Sequence, residues 1–138
     1  MMALLDYKGA IADYTKAIEL KSGPSPHLYV KRGNAKRLIQ DFNGAITDLN
    51  KAIEFNPGYA LAFGYKGIIK MEVKDYRGAI DEFNKALERN PNSFKEAYYY
   101  REIAKICFGQ KESGCLDLIK ARESGYERAY EAIQKYCQ

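Results

Sequence analysis

A block of fourteen residues recurs three times along the chain: Asp6-Tyr-Lys-Gly-Ala-Ile-Ala-Asp-Tyr-Thr-Lys-Ala-Ile-Glu19, Asp41-Phe-Asn-Gly-Ala-Ile-Thr-Asp-Leu-Asn-Lys-Ala-Ile-Glu54 and Asp75-Tyr-Arg-Gly-Ala-Ile-Asp-Glu-Phe-Asn-Lys-Ala-Leu-Glu88. The copies are offset by 35 and 34 residues. A fixed period of this size means a stack of similar small units, each burying one face against the next.

Within each copy the apolar positions run at the three-and-four spacing of one helix face, as in Tyr7, Ala10, Ile11, Tyr14, Ala17 and Ile18. A second helical pattern lies between successive blocks, over His27 to Ile39, Ala60 to Val73 and Lys95 to Phe108, and Pro57 and Pro91 stop the helices before them. Asp41 and Asp75 stand where an N-cap is wanted. The expected unit is helix, short turn, helix, proline turn.

This pattern resembles the tetratricopeptide repeat. One unit matches at Tyr29, Gly33, Ala45, Leu49, Ala52 and Pro57, and the next at Phe63, Gly67, Ala79, Phe83, Ala86 and Pro91. A more degenerate unit keeps Tyr98, Ala104, Gly114, Leu118 and Ala121, with Glu102 in place of the glycine and Tyr126 in place of the proline. Arg128-Ala-Tyr130 echoes Glu96-Ala-Tyr98 as the start of a further first helix serving as a cap. The resemblance implies an all-α, right-handed superhelical solenoid of antiparallel helix pairs, about three and a half repeats plus a C-terminal capping helix. The expected divisions are 1–24 (a second helix only), 25–58, 59–93, 94–126 and 127–138. Gly33, Gly67, Ala45, Ala52, Ala79 and Ala86 are assigned to close helix approach.

Two departures from the family pattern are themselves periodic. Arg32, Lys66 and Arg101 form one basic column and Lys36, Lys70 and Lys105 another, while Asp13, Asp48, Glu82 and Asp117 form an acidic one. The expectation is an internal ladder of ion pairs between helices; the alternative is a phosphate-tracking stripe.

Family geometry places the first helices on a concave surface, which makes Val30, Lys31, Asn34, Arg37, Tyr65, Ile68, Met71, Tyr99, Tyr100, Ile103 and Ile106 the expected peptide-binding groove. Such a surface suits a peptide with apolar anchors and an acidic end. One subclass of the family grips the acidic tail of heat-shock chaperones with a two-carboxylate clamp. In that register this chain has Val30, Asn34, Tyr65, Glu96 and Tyr100, of which Asn34 alone fits, so no clamp is expected.

The first block begins at Asp6, leaving its own first helix absent and the face of Tyr7, Ile11, Tyr14 and Ile18 without a sequence-adjacent cover. Self-association as a homodimer through that helix is the expectation.

The bulk numbers exclude other classes. Among 138 residues, 22 basic and 18 acidic side chains are intermixed, a weak pull on nucleic acid or anionic lipid. No apolar run approaches the roughly 18 residues that cross a bilayer, and Met1 to Leu5 is too short for a signal peptide, so a cytoplasmic location is expected. Cys107, Cys115 and Cys137 lack metal-ligand spacing and are expected to be reduced thiols; His27 is the single histidine. No catalytic, cofactor or metal residues are assigned. The functional expectation is a non-catalytic scaffold for a protein or peptide, with an RNA-binding helical repeat or a self-association block as the alternatives.

Overall fold

The computed structural model describes residues 2–92, 96–109, 111–123, 125 and 127–137, and the side chains of these except 2–5, 111, 113 and 136. Lys95 and Tyr126, named above, lie outside the described residues. Eight helices are found among them: α1 (Met2–Leu20), α2 (Pro26–Leu38), α3 (Phe42–Phe55), α4 (Ala60–Glu72), α5 (Tyr76–Arg89), α6 (Glu96–Cys107), α7 (Lys111–Glu123) and α8 (Arg128–Tyr136). The chain is a helical solenoid in which α2 pairs with α3, α4 with α5 and α6 with α7, and each pair packs on the next.

The turns repeat as closely as the helices. Asp41 and Asp75 accept from the backbone N–H of Gly44 and Gly78, both at 3.0 Å, as N-caps of α3 and α5. A Cβ on either glycine would stand 2.3 Å from that carboxylate, which explains the recurring Asp-x-x-Gly. The turns between α2 and α3 and between α4 and α5 place Gln40 and Lys74 in the left-handed region, both at φ 66°, while Gly109 takes that position after α6. The N–H of Asp41 reaches back to the Lys36 carbonyl and that of Asp75 to the Lys70 carbonyl, both at 2.8 Å, closing the helix ends. Asn56 and Asn90 side chains each accept from a backbone N–H two residues on, which shapes the proline turns.

Small residues set the interhelix distance. Ala45, Ala52 and Ala79 have no exposed surface, and Leu49 and Phe83 fill the space beside them. A Cβ on Gly67 would stand 2.5 Å from the Phe83 ring. In the last pair the glycine changes sides: Glu102 occupies the position of Gly33 and Gly67, and a Cβ on Gly114 would stand 2.6 Å from the Glu102 carbonyl oxygen. The two backbones therefore approach from the α7 side.

One sequence expectation is overturned here. Cys115 and Cys137 are joined as a disulfide that fastens α8 to α7, and Cys107 alone is a free, exposed thiol among the described residues. Spacing along the chain could not reveal a pairing that depends on α8 folding back onto α7.

Candidate peptide-binding groove

Three carboxylates of the acidic column, Asp48, Glu82 and Asp117, are buried and paired with cations of their own unit's first helix. Arg32 donates to both oxygens of Asp48, at 2.7 and 2.8 Å, and its third nitrogen donates to Thr15 Oγ1 of the preceding helix at 3.1 Å. Arg101 repeats this on Asp117 at 2.7 and 2.8 Å and on Asn84 Oδ1 at 2.8 Å. Each guanidinium also lies near a tyrosine one turn earlier, Tyr29 at 5.5 Å and Tyr98 at 5.6 Å. Lys36 adds a contact to Asp48 at 3.1 Å and Lys105 one to Asp117 at 2.9 Å. The Asp48 carboxylate drives the Arg32 guanidinium still further toward its charged form, hydrogen bonding outweighing desolvation.

The middle rung is poorer. Lys66 reaches Glu82 at 3.4 Å, and the other Glu82 oxygen is buried without a partner. Lys70 departs from the expected column and pairs at 3.7 Å with the capping Asp75. Asp13 is exposed, and no ion pair joins it to a described residue.

With the columns paired, the open surface is carried by other residues. Met71 of α4, Tyr99, Tyr100 and Ile103 of α6, and Arg128, Glu131, Ala132 and Lys135 of α8 line an open cavity of about 340 Å³. Four of these were expected from the sequence and four, all on α8, were not. The two tyrosines hold one another edge to face at 5.3 Å, Tyr100 stacks on buried Phe83 at 6.2 Å, and Arg128 lies 5.2 Å from the Tyr99 ring. The cavity is therefore an aromatic and aliphatic floor with two cations and one carboxylate on the α8 wall.

The other expected groove residues fall elsewhere. Val30 is 2 % exposed and packs with Ala45, Leu49 and Ile69, so it offers no surface to a partner. Ile68 packs partly buried against the Phe83 core, and Ile106 against that of Leu118. Lys31 is exposed; Arg37 is tied to Asn34 at 3.0 Å and to Glu72. Tyr65 is half-buried, and burial pushes its phenol above the usual range. Of the residues expected in a self-interface, Tyr7, Ile11, Tyr14 and Ile18 are all half-buried, and Ile18 lines an open cleft with Tyr29 and Phe55.

The glycine exchange in the last pair leaves Glu102 fully buried, with neither carboxylate oxygen bonded. Desolvation, with the nearby Asp117 carboxylate, pushes it up to about 9. It is a neutral acid at pH 7.

No group of three or more His, Cys, Asp or Glu among the described residues is arranged to hold a metal ion. No helix among them is long and apolar enough to cross a membrane.

A family model described as the tetratricopeptide repeat matches residues 26–59 and 66–93. This chain contains tetratricopeptide repeats over those two segments. Its repeats extend in space beyond those two segments. A crystal structure of MamA is 26% identical, covers 90% of this chain and 71% of its own, and superposes with a TM-score of 0.76. The first TPR of Spaghetti (RPAP3), bound to the HSP90 peptide SRMEEVD, is 19% identical over 82% of this chain and 90% of its own, with a TM-score of 0.77. The Arabidopsis OM64 TPR domain is 18% identical over 80% and 94%, with a TM-score of 0.72. The last two speak to the fold alone. Comparison with curated proteins returns no match. The fold is that of a protein-interaction scaffold, and tetratricopeptide repeats in general are interaction modules without catalysis.

Proposed function

We propose that this chain is a non-catalytic scaffold that binds a short peptide segment of a partner protein in the groove walled by α4, α6 and α8. The observation that carries the reading is the convergence of Met71, Tyr99, Tyr100 and Ile103 with Arg128 and Lys135 around one cavity. An apolar or aromatic side chain would enter between the tyrosines, and a carboxylate of the same peptide would meet the α8 cations. Rigid tyrosines lose little entropy on contact, which suits them to anchoring. Lys31, Asn34, Arg37 and Tyr65 would extend the track along α2 and α4.

The partner is protein and not nucleic acid on this reading, because five of the six basic side chains that could have tracked phosphates are engaged by Asp48, Glu82 and Asp117, and the sixth, Lys70, by Asp75. At the clamp positions Val30 is buried and Glu96 is acidic, so an acidic chaperone tail is not the ligand. A disulfide persists in oxidising surroundings; in a reducing cytoplasm Cys115 and Cys137 would be thiols and α8 would rest on packing alone.

Selection of a displayed random-peptide library against the purified chain tests the proposal. Enriched peptides should share an apolar residue beside a carboxylate, and Tyr99→Ala should abolish their retention. Enrichment that survives both Tyr99→Ala and Arg128→Ala would place binding elsewhere and overturn it.

A further inference from the structure

At the turn between α3 and α4 the chain closes a cleft with an arginine of its own. Arg89, the last residue of α5, lies 4.4 Å over the ring of Phe63 in α4, and its Nε donates to the Pro57 carbonyl at 3.0 Å. Phe63 is left 5% exposed. At an offset of 34 the counterparts of Arg89 and Phe63 are Phe55, the last residue of α3, and Tyr29 of α2, while Gly23 and Pro24 stand in the α1–α2 turn where Pro57 stands in the next. Phe55 has no guanidinium to lay on the Tyr29 ring or to donate to the turn carbonyls. The two rings meet tilted at 5.9 Å, with Tyr29 half-buried and Phe55 39% exposed. Beside them an open cleft of about 330 Å³ remains, lined also by Ile18, Lys21, Gly23 and Pro24.

The opening follows from the exchange of one residue and not from where α1 begins. One unit on, a whole helix, α2, precedes the counterpart of α1, yet no residue of α2 joins Arg89, Phe63 and Pro57. The hollow left beside them is lined by the α3–α4 turn, the start of α4 and Asn90, again with nothing from α2. In that register a segment ahead of α1 would lie equally clear of the cleft.

From this internal comparison we propose that the cleft receives an arginine side chain from a peptide segment of a partner protein. It is held as Arg89 is held, with the guanidinium over the Tyr29 ring and an N–H donated to the carbonyl of Gly23 or Pro24. Neither carbonyl accepts a hydrogen bond from a described residue. The helix ends are arranged alike in the two places: α3 and α5 finish and α4 begins around Arg89, and α1 and α3 finish and α2 begins around the cleft. A cation therefore meets the same balance of helix dipoles in both. Lysine fits less well, because a compact ammonium lacks the planar face and the fork of a guanidinium. Of the cations nearby, Lys51 lies over the Phe55 ring at 5.3 Å and is paired with Glu54 at 3.7 Å, and Arg32, near the Tyr29 ring, is held by Asp48. Lys21, exposed and lining the cleft, opposes an incoming arginine, and its removal therefore has a definite sign. The site shares no residue with the groove of α4, α6 and α8, so its failure would leave that groove as it is.

The probe is a short peptide, blocked at both ends, with one arginine flanked by glycines, titrated into the intact chain and followed by amide and aromatic chemical shifts. Saturable shifts at Gly23, Tyr29 and Phe55 are expected. The same peptide with citrulline keeps the planar shape and loses the charge, and it should bind at least about fivefold more weakly. Phe55→Arg gives the chain its own guanidinium in the manner of Arg89 and should abolish the shifts, with circular dichroism confirming that the variant is folded. Lys21→Ala should tighten binding by about two- to fivefold, the scale of one exposed charge. Weaker binding to that variant would mean that the cleft takes an anion, and the proposal would fall. It would fall equally if no saturable shifts reached Gly23 and Tyr29, if the citrulline peptide bound as well as the arginine one, or if the folded Phe55→Arg chain still bound.

Discussion

The guanidinium of Arg32 holds both carboxylate oxygens of Asp48, at 2.7 and 2.8 Å, across the two helices of one unit. Asp48 is buried and Arg32 nearly so, which makes the pair a structural tie and not a surface ornament. Replacing Arg32 by Ala leaves the buried carboxylate with Lys36 alone. The expected cost is about 2–3 kcal/mol, less than for a wholly uncompensated buried charge because Lys36 remains. Chemical denaturation should show it as a lower midpoint; unchanged stability would mean that the pair contributes nothing net.

The middle rung invites the reverse experiment. Lys66 offers a point charge where Arg32 and Arg101 offer a fork, and one oxygen of Glu82 is left buried and unbonded. The double change Lys66→Arg with Glu82→Asp copies the arrangement of the flanking units, in which Asn50 stands where Asn84 accepts from Arg101. A gain of about 1 kcal/mol is expected, and each single change should do worse than the pair. Additive single effects would show that no fork forms.

Gln40 and Lys74 occupy left-handed backbone at φ 66°, a conformation that costs a residue with a Cβ about 1–2 kcal/mol. Gly109 meets the same need after α6 without that cost, at φ 90°. Gln40→Gly and Lys74→Gly should each stabilise by about 0.5–1 kcal/mol, the strain relieved less the entropy lost by a freer unfolded chain. Urea midpoints measured at one pH check this.

Much of this was written in the sequence, because a repeat states its contacts several times over. The cation and carboxylate columns could be read as partners since their spacing is the period, and Asp41 and Asp75 could be read as caps. What escaped was whatever occurs once. Arg128, Glu131, Ala132 and Lys135 join the groove only because α8 packs beside α6, and a single short helix has no second copy to reveal its register. Val30 was misread for a related reason: its side chain turns into the core with Leu49. Glu102 was seen as a departure from the glycine pattern, yet only the approach of Gly114 to its carbonyl shows where the displaced glycine went.

Glu102 gives the fold a pH dependence of definite sign. Its carboxyl is pushed up to about 9 in the folded chain, chiefly by burial, against an ordinary value near 4.5. Between those values the folded state holds a proton that the unfolded state has released. Stability is therefore full below about pH 4.5 as far as this group is concerned, and falls as pH rises toward 9, by up to roughly 1.4 kcal/mol per pH unit. Glu102→Gln keeps the volume and removes the titration, so its unfolding midpoint should rise relative to the parent at pH 8.5 and differ little at pH 5. Parallel pH profiles for the two proteins would show that the carboxylate reaches water when it ionises.

The disulfide connects stability to the proposed groove. Cys115 and Cys137 close a loop of 22 residues, and a cross-link of that span stabilises by about 3 kcal/mol when native geometry is unstrained. Its effect should be local, since it fastens only α8, and α8 supplies the cations of the groove but no part of the ion-pair columns. Reduction, or Cys115→Ser with Cys137→Ser, should therefore leave the melting of α2 to α5 nearly unchanged while hydrogen exchange quickens over α8. Peptides selected on the oxidised chain should bind the reduced one at least several-fold more weakly, through loss of a fixed Arg128 beside Tyr99. Should exchange over α8 be the same in both redox states, the packing of Ala129 and Ala132 against α7 and α6 would suffice to hold the wall in place, and the bond would have no bearing on binding.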